Sequence, residues 1–278
     1  MHSSNRVTQI TIAMMLLFIS FFSIQNNKSN DSTSYDITLE EIEMEVPTEY
    51  QLEDNEYSNI SMVLYSSSDH TYQVYNKSQA HNPLSPCSTF KIPHTLIGLD
   101  LGVLKKGQNP YEWSGEQYHV ESWNRDHTLE SAIKNSVVWY FQRVSSAIGP
   151  QRMQEALNNI GYGNANISGG QDDFWLKSSL KISAMDQVDF LEKLYNKDLP
   201  FTEEHQNYVK EMILLDRQDD KTLYGKTGGG ENIGWFIGFI EDESKTTYFA
   251  LNIIDHPNSS GLNAKELCIN ELENRGIY

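Results

Sequence analysis

Ser88 and Lys91 stand three residues apart in Pro86-Cys87-Ser88-Thr89-Phe90-Lys91-Ile92-Pro93, at the start of an apolar run. On a helix, positions i and i+3 share a face, so the Lys91 amine can reach the Ser88 hydroxyl. A serine hydroxyl is a poor nucleophile until a neighbouring base takes its proton, and this spacing supplies a base without a histidine. A helix start also points backbone N–H groups at the seryl oxygen, where an oxyanion is stabilised. Taken alone the pair is weak, because a Ser cap followed by a surface Lys has the same pattern.

Two later segments strengthen it. Ser136-Val137-Val138-Trp139-Tyr140 and Lys226-Thr227-Gly228-Gly229 follow the serine 48 and 138 residues on. If the second is a strand, Lys226 and Gly228 face one side and Thr227 the other, and Gly228 lets a ligand backbone come close. A strand lysine facing a cleft can hold a substrate carboxylate; a solvated strand lysine is the alternative. Other chemistries lack their signatures. There is no G-x-S-x-G, and the eight His residues show neither H-E-x-x-H nor paired i, i+4 spacing, so no metal site is expected. Gly225-Lys226-Thr227 imitates the end of a phosphate loop, but Asp220 occupies the position of that loop's first glycine.

The chain that must position these groups has 278 residues, enough for one large domain or two modest ones. Its net charge of -17 repels phosphate backbones and anionic lipid surfaces, which argues against a nucleic-acid partner. Residues 1–56 hold two basic and ten acidic residues, so nearly half of that charge is local. Two cysteines, Cys87 and Cys268, form neither a C-x-x-C nor a disulfide framework. Nothing in the sequence fixes the oligomeric state.

Ile10 to Ile24 is an uncharged 15-residue run. At ~1.5 Å per residue it falls short of the ~30 Å hydrocarbon core, so residues 1–24 read as an export signal, with an uncleaved membrane tether through residues 10–24 as the alternative. The exported protein would be secreted, periplasmic or held at the outer face of the cytoplasmic membrane. Residues 25–56 are polar and acidic and read as a tether; an amphipathic helix presenting Leu39, Ile42 and Val46 is the other reading.

Residues 57–278 form the folded part. Ser61–Tyr65 and Thr71–Tyr75 flank a Ser-Ser-Ser-Asp turn, a hairpin signature. Helical spacing dominates from Ser88 to about Leu215, as in Leu96, Ile97, Leu99, Leu101 and Leu104. Strands return at Thr222–Gly225, Trp235–Ile240 and Tyr248–Ile254, and Ala264–Glu273 reads as a closing helix. A helical block inserted between the strands of an antiparallel sheet is an α+β layout.

With S-x-x-K at Ser88–Lys91 and K-T-G at Lys226–Gly228, the chain resembles the penicillin-recognising serine enzymes. Ser136-Val137-Val138 in place of Ser-Asp-Asn, followed by Tyr162-Gly163-Asn164 and Phe174-Trp175-Leu176, makes it similar to the class D β-lactamases, or oxacillinases, within them. The resemblance spans residues 57–278, including Glu121–His127 and Leu180–Ser183. It implies an antiparallel sheet flanked by N- and C-terminal helices with an inserted all-helical region, and a β-lactam substrate. It also implies that Ser88 forms an acyl-enzyme and that Lys91, carbamylated by carbon dioxide, is the base for both steps. Ser136 would relay protons between the lactam nitrogen and Lys226, Val138 would shield the carbamate, and the indole N–H of Trp175 would hold it. The backbone N–H groups of Ser88 and Gly229 would form the oxyanion hole, with Thr227 assisting at the substrate carboxylate. No cofactor beyond carbon dioxide is implied. Many members place an arginine after the last strand, whereas here no Arg lies between Asp255 and Glu273, and Lys265 is the nearest basic residue. A β-lactam sensor that acylates once without turnover shares the same motifs.

Overall fold

The computed structural model describes the backbone of residues 48–49 and the whole of residues 59–108 and 111–278. The leader and most of the acidic stretch lie outside them. Seven strands form one sheet: β1 (Thr48–Glu49), β2 (Ile60–Ser66), β3 (Thr71–Tyr75), β4 (Leu214–Gln218), β5 (Lys221–Gly230), β6 (Ile233–Glu241) and β7 (Thr246–Ile254), in the order β1-β3-β2-β7-β6-β5-β4. Every neighbouring pair is antiparallel except β1 with β3. Two residues of the stretch read as a tether, Thr48–Glu49, therefore extend the sheet.

Eight α-helices accompany the sheet among the described residues: α1 (Lys77–Ala80), α2 (Lys91–Asp100), α3 (Leu129–Lys134), α4 (Val138–Ile148), α5 (Pro150–Ile160), α6 (Ala184–Asn196), α7 (Glu203–Met212) and α8 (Gly261–Asn274). The helices α2 to α7 fall between β3 and β4, which is the expected α+β insertion. Helical spacing was expected to reach about Leu215, but β4 begins at Leu214. The edge strand β4 is largely exposed, so its Leu-Leu-Asp-Arg-Gln sequence carries none of the alternation that marks a half-buried strand.

The central strands β6 and β7 are buried almost throughout, because both faces of the sheet are covered. Met62, Leu64, Phe236, Phe249 and Leu251 face α8, packing on Ala264, Cys268 and Leu272. Their neighbours Val63, Trp235, Ile237 and Tyr248 face the helical block. A strand sandwiched this way needs apolar residues at odd and even positions alike, which explains the unbroken run Trp235-Phe-Ile-Gly-Phe-Ile240. On the outer face the described residues place one long helix, α8. On the inner face α6 crosses β7 and β2. Its start is fixed by a capping box, in which Ser183 Oγ accepts from Asp186 N and the Asp186 carboxylate accepts from Ser183 N.

Candidate active site

Ser88 sits in a short 3₁₀ turn, Cys87–Phe90, that runs directly into α2, whose first residue is Lys91. The turn starts from a left-handed residue, Cys87, at φ 50°. Its backbone N–H donates to Trp175 O at 2.9 Å and its thiol to Leu176 O at 3.1 Å, so one residue ties the nucleophile turn to the Trp175 segment. From the other side, Gln187 Nε2 donates to Thr89 Oγ1 at 2.9 Å and Trp235 Nε1 donates to Ser85 O at 3.0 Å. Ser88 is thus held by the sheet, by α6 and by the Trp175 loop, with 8% of its surface exposed.

Lys91 is wholly buried, and its Nζ lies 2.9 Å from Ser88 Oγ. Burial, reinforced by the field of Lys226, drives its amine well below the ordinary lysine range, which favours the uncharged form far more than water does. A neutral amine can accept a proton from the hydroxyl it contacts, which a lysine in water cannot. The Phe141 ring centroid is 5.2 Å from Lys91 Nζ, and Phe90, the residue before Lys91, packs on Phe174 and Trp175, which also pack on each other. Trp175 is fully buried, and its Nε1–H finds no hydrogen-bond partner among the described residues.

Facing this pair is a second one. Ser136 stands in the connection from α3 to α4 with φ 53°, and Lys226 of β5 donates to its hydroxyl and, at 2.9 Å, to Thr227 O. Burial pushes the Lys226 amine down to about 7. The turn that presents Ser136 is braced by indoles: Trp123 Nε1 donates to Asn135 O and Trp139 Nε1 to Trp123 O. Val138, the first residue of α4, is half-buried.

The K-T-G strand alternates as expected. Lys226 turns to Ser136, while Thr227 turns to the start of α8, where a Cβ on Gly261 would lie 3.0 Å from Thr227 Cβ. Gly228 has a packing role as well. A Cβ there would come within 2.8 Å of Pro86 O and 3.0 Å of Thr89 Cγ2, so this glycine admits the nucleophile turn. Gly229 is open by comparison, its nearest neighbour being Gly261 N at 3.5 Å. Tyr162-Gly163-Asn164 forms a buttress: the Tyr162 ring packs 5.6 Å from Phe90, and Asn164 Oδ1 accepts from Lys181 N at 2.9 Å.

A cavity of about 520 Å³ opens beside Lys226 and Thr227. Lys265 lines it, as the missing arginine would suggest, but so does Lys134, which no motif pointed to. Leu215 and Leu262, both exposed, give it an apolar lip. His94 is the other residue not foreseen, a fully buried histidine one turn beyond Lys91. Its singular feature, two unpartnered ring nitrogens, exists only in the packed structure. Among the described residues no three His, Cys, Asp or Glu side chains gather as a metal set would require.

Residues 57–272 match the family model for the transpeptidase domain of penicillin-binding proteins. The probable β-lactamase YbxI of Bacillus subtilis is 42% identical over 212 residues, 75% of this chain and 78% of the relative. A crystal structure of a class D β-lactamase from Bacillus subtilis superposes with a TM-score of 0.76 at 40% identity, covering 79% of this chain and 92% of that one. The C-terminal domain of the Bacillus licheniformis BlaR penicillin receptor gives the same TM-score at 34% identity, covering 78% and 90%. The two Lys–Ser pairs therefore stand on a scaffold that 79% of this chain shares with a class D enzyme, and this chain belongs to the class D β-lactamases.

Proposed function

We propose that the chain hydrolyses β-lactams, penicillins foremost, through an acyl-enzyme on Ser88. The observation that carries this reading is the fully buried Lys91 amine 2.9 Å from the serine hydroxyl, held by burial well below the ordinary lysine range. Lys91 takes the Oγ proton as Ser88 attacks the lactam carbonyl, and the Ser88 and Gly229 backbone N–H groups receive the developing oxyanion. As the lactam C–N bond breaks, Ser136 passes a proton from Lys226 to the departing nitrogen. Thr227, with Lys265 on the cavity wall, faces the substrate carboxylate. Val138 keeps bulk water from the Lys91 amine.

Carbon dioxide fits this site. A neutral amine enclosed by aromatic rings is the form that captures it, and the orphaned Trp175 Nε1–H is a donor waiting for an acceptor. The carboxylate so placed on Lys91 supplies an oxygen base in place of a nitrogen one, for both acylation and the attack of water. Ser88 and Trp175 would hold it. We further propose export directed by residues 1–24, or attachment through residues 10–24, so that hydrolysis outside the cytoplasm confers β-lactam resistance.

The likeness to a penicillin-receptor domain favours a second reading, a sensor that acylates and stops. One time course separates them: penicillin hydrolysis by the purified full chain at known concentration, with added bicarbonate, followed well past one equivalent. Continued turnover supports the enzyme. A halt after one equivalent, with a stable adduct on Ser88, makes the chain a sensor.

A further inference from the structure

His94 lies three residues after Lys91, on the same face of α2, and is fully buried. Its ring is enclosed by Phe90, Phe141 and Trp175, with centroids 5.1, 5.4 and 5.2 Å away. Phe141 also meets the Lys91 amine, 5.2 Å from its ring centroid, and the field of Lys91 reaches the imidazole. Neither His94 Nδ1 nor Nε2 has a hydrogen-bond partner among the described residues, and neither does Trp175 Nε1. Three ring nitrogens without partners on two touching rings, within the field of one buried amine, are an unusual concentration, since buried polar atoms are nearly always satisfied. Burial, with Lys91 adding to it, pushes the imidazole down to about 3, so the ring is neutral and carries one N–H donor.

We propose that His94 donates its ring N–H to the carboxylate that carbon dioxide forms on Lys91, as a second donor beside Trp175. The inference rests on the carbamate reading above. The Lys91 nitrogen lone pair bonds to the carbon of carbon dioxide, one C=O π pair moves onto its oxygen, and a proton leaves the nitrogen for solvent past Ser88. The anion formed has several lone pairs to satisfy, and an aromatic cage offers none of the hydrogen bonds that water would. The Ser88 hydroxyl and one indole N–H leave part of that demand unmet. A neutral imidazole N–H fills it. His94 is thereby a positioning residue for the base: it sets how tightly carbon dioxide is held and touches no substrate.

The test uses ¹³C-bicarbonate and ¹³C NMR on the full chain, reading the lysine carbamate resonance as bicarbonate is titrated. The His94→Leu variant is expected to bind carbon dioxide about tenfold more weakly than the parent, whereas His94→Asn, which keeps an N–H donor, stays within about threefold of it. Retention of parental affinity by His94→Leu overturns the inference. If the parent itself shows no carbamate at saturating bicarbonate, the underlying reading fails and the inference falls with it. Should His94→Leu not fold, ¹⁵N-imidazole spectra of the parent decide: a His94 resonance that moves on bicarbonate addition supports the contact, and one that stays fixed refutes it.

Discussion

Lys226 of β5 donates a hydrogen bond to Ser136, ninety residues earlier in the chain. It repeats, across the cleft, the relation of Lys91 to Ser88, and the Lys91 amine feels the field of Lys226. Each pair depends on a left-handed backbone residue, Ser136 itself and Cys87 beside Ser88. Non-glycine residues are held in that region at a cost of ~1–3 kcal/mol, and here both sit where a side chain must be aimed.

The depressed Lys226 amine has a consequence for stability. In the unfolded chain it titrates near 10.5, in the fold at about 7, so between those values the unfolded state binds more protons. The stabilisation from this group is therefore full above 10.5 and is lost as pH falls to about 7. Replacing Lys226 by Met should remove up to about 1.4 kcal/mol per pH unit from the slope of unfolding free energy across that window. Urea unfolding at several pH values measures it; parallel profiles would show that Lys226 is charged in the fold.

Gly228 and Gly229 should behave oppositely. A methyl group at Gly228 meets Pro86 O at 2.8 Å, backbone that cannot yield without moving the Ser88 turn. Gly228→Ala is expected to cost about 1–3 kcal/mol and to slow acylation by a fluorescent penicillin. Gly229→Ala, with only Gly261 N at 3.5 Å, should unfold within about 0.5 kcal/mol of the parent. Equal destabilisation by both would contradict the packing.

Cys87 is a fastener. Burial pushes its thiol up to about 12, and its Sγ is engaged with Leu176 O. The native protein should release no thiol to an aromatic disulfide reagent at pH 8 and both thiols after denaturation, since Cys268 is buried as well. Cys87→Ala should cost about 1 kcal/mol for the lost hydrogen bond, with more from the space left behind. Rapid labelling of native protein would mean that the turn opens.

How much of this was legible from residue order follows from how local each relation is. The Ser88–Lys91 contact is three residues long, so its spacing declared it. Lys226 was marked by a triplet inside an apolar strand, and its face by simple alternation. The partner of Gly228 was hidden because Pro86 belongs to another element, joined only when β5 crosses the nucleophile turn. His94 looked like any lone histidine in an apolar helix; its unpartnered state requires Phe90, Phe141 and Trp175, from three separate segments, to close around it. The strand β4 was missed because an exposed edge relaxes the demand for apolar residues.

Lys265 tests what replaces the absent arginine. It lines the same cavity as Lys226 and Thr227, at the start of α8. A single ammonium on a flexible stem holds a carboxylate less specifically than a bidentate guanidinium, so its loss should weaken substrate binding without touching the chemistry at Ser88. Lys265→Ala is expected to raise KM for penicillins roughly threefold to tenfold while kcat stays within twofold, as for a contact made equally in ground and transition states. Lys134, on the same wall, is the internal comparison. If Lys134→Ala raises KM and Lys265→Ala does not, the carboxylate is held from the α3 side of the cleft, and if neither does, Thr227 and Lys226 hold it unaided.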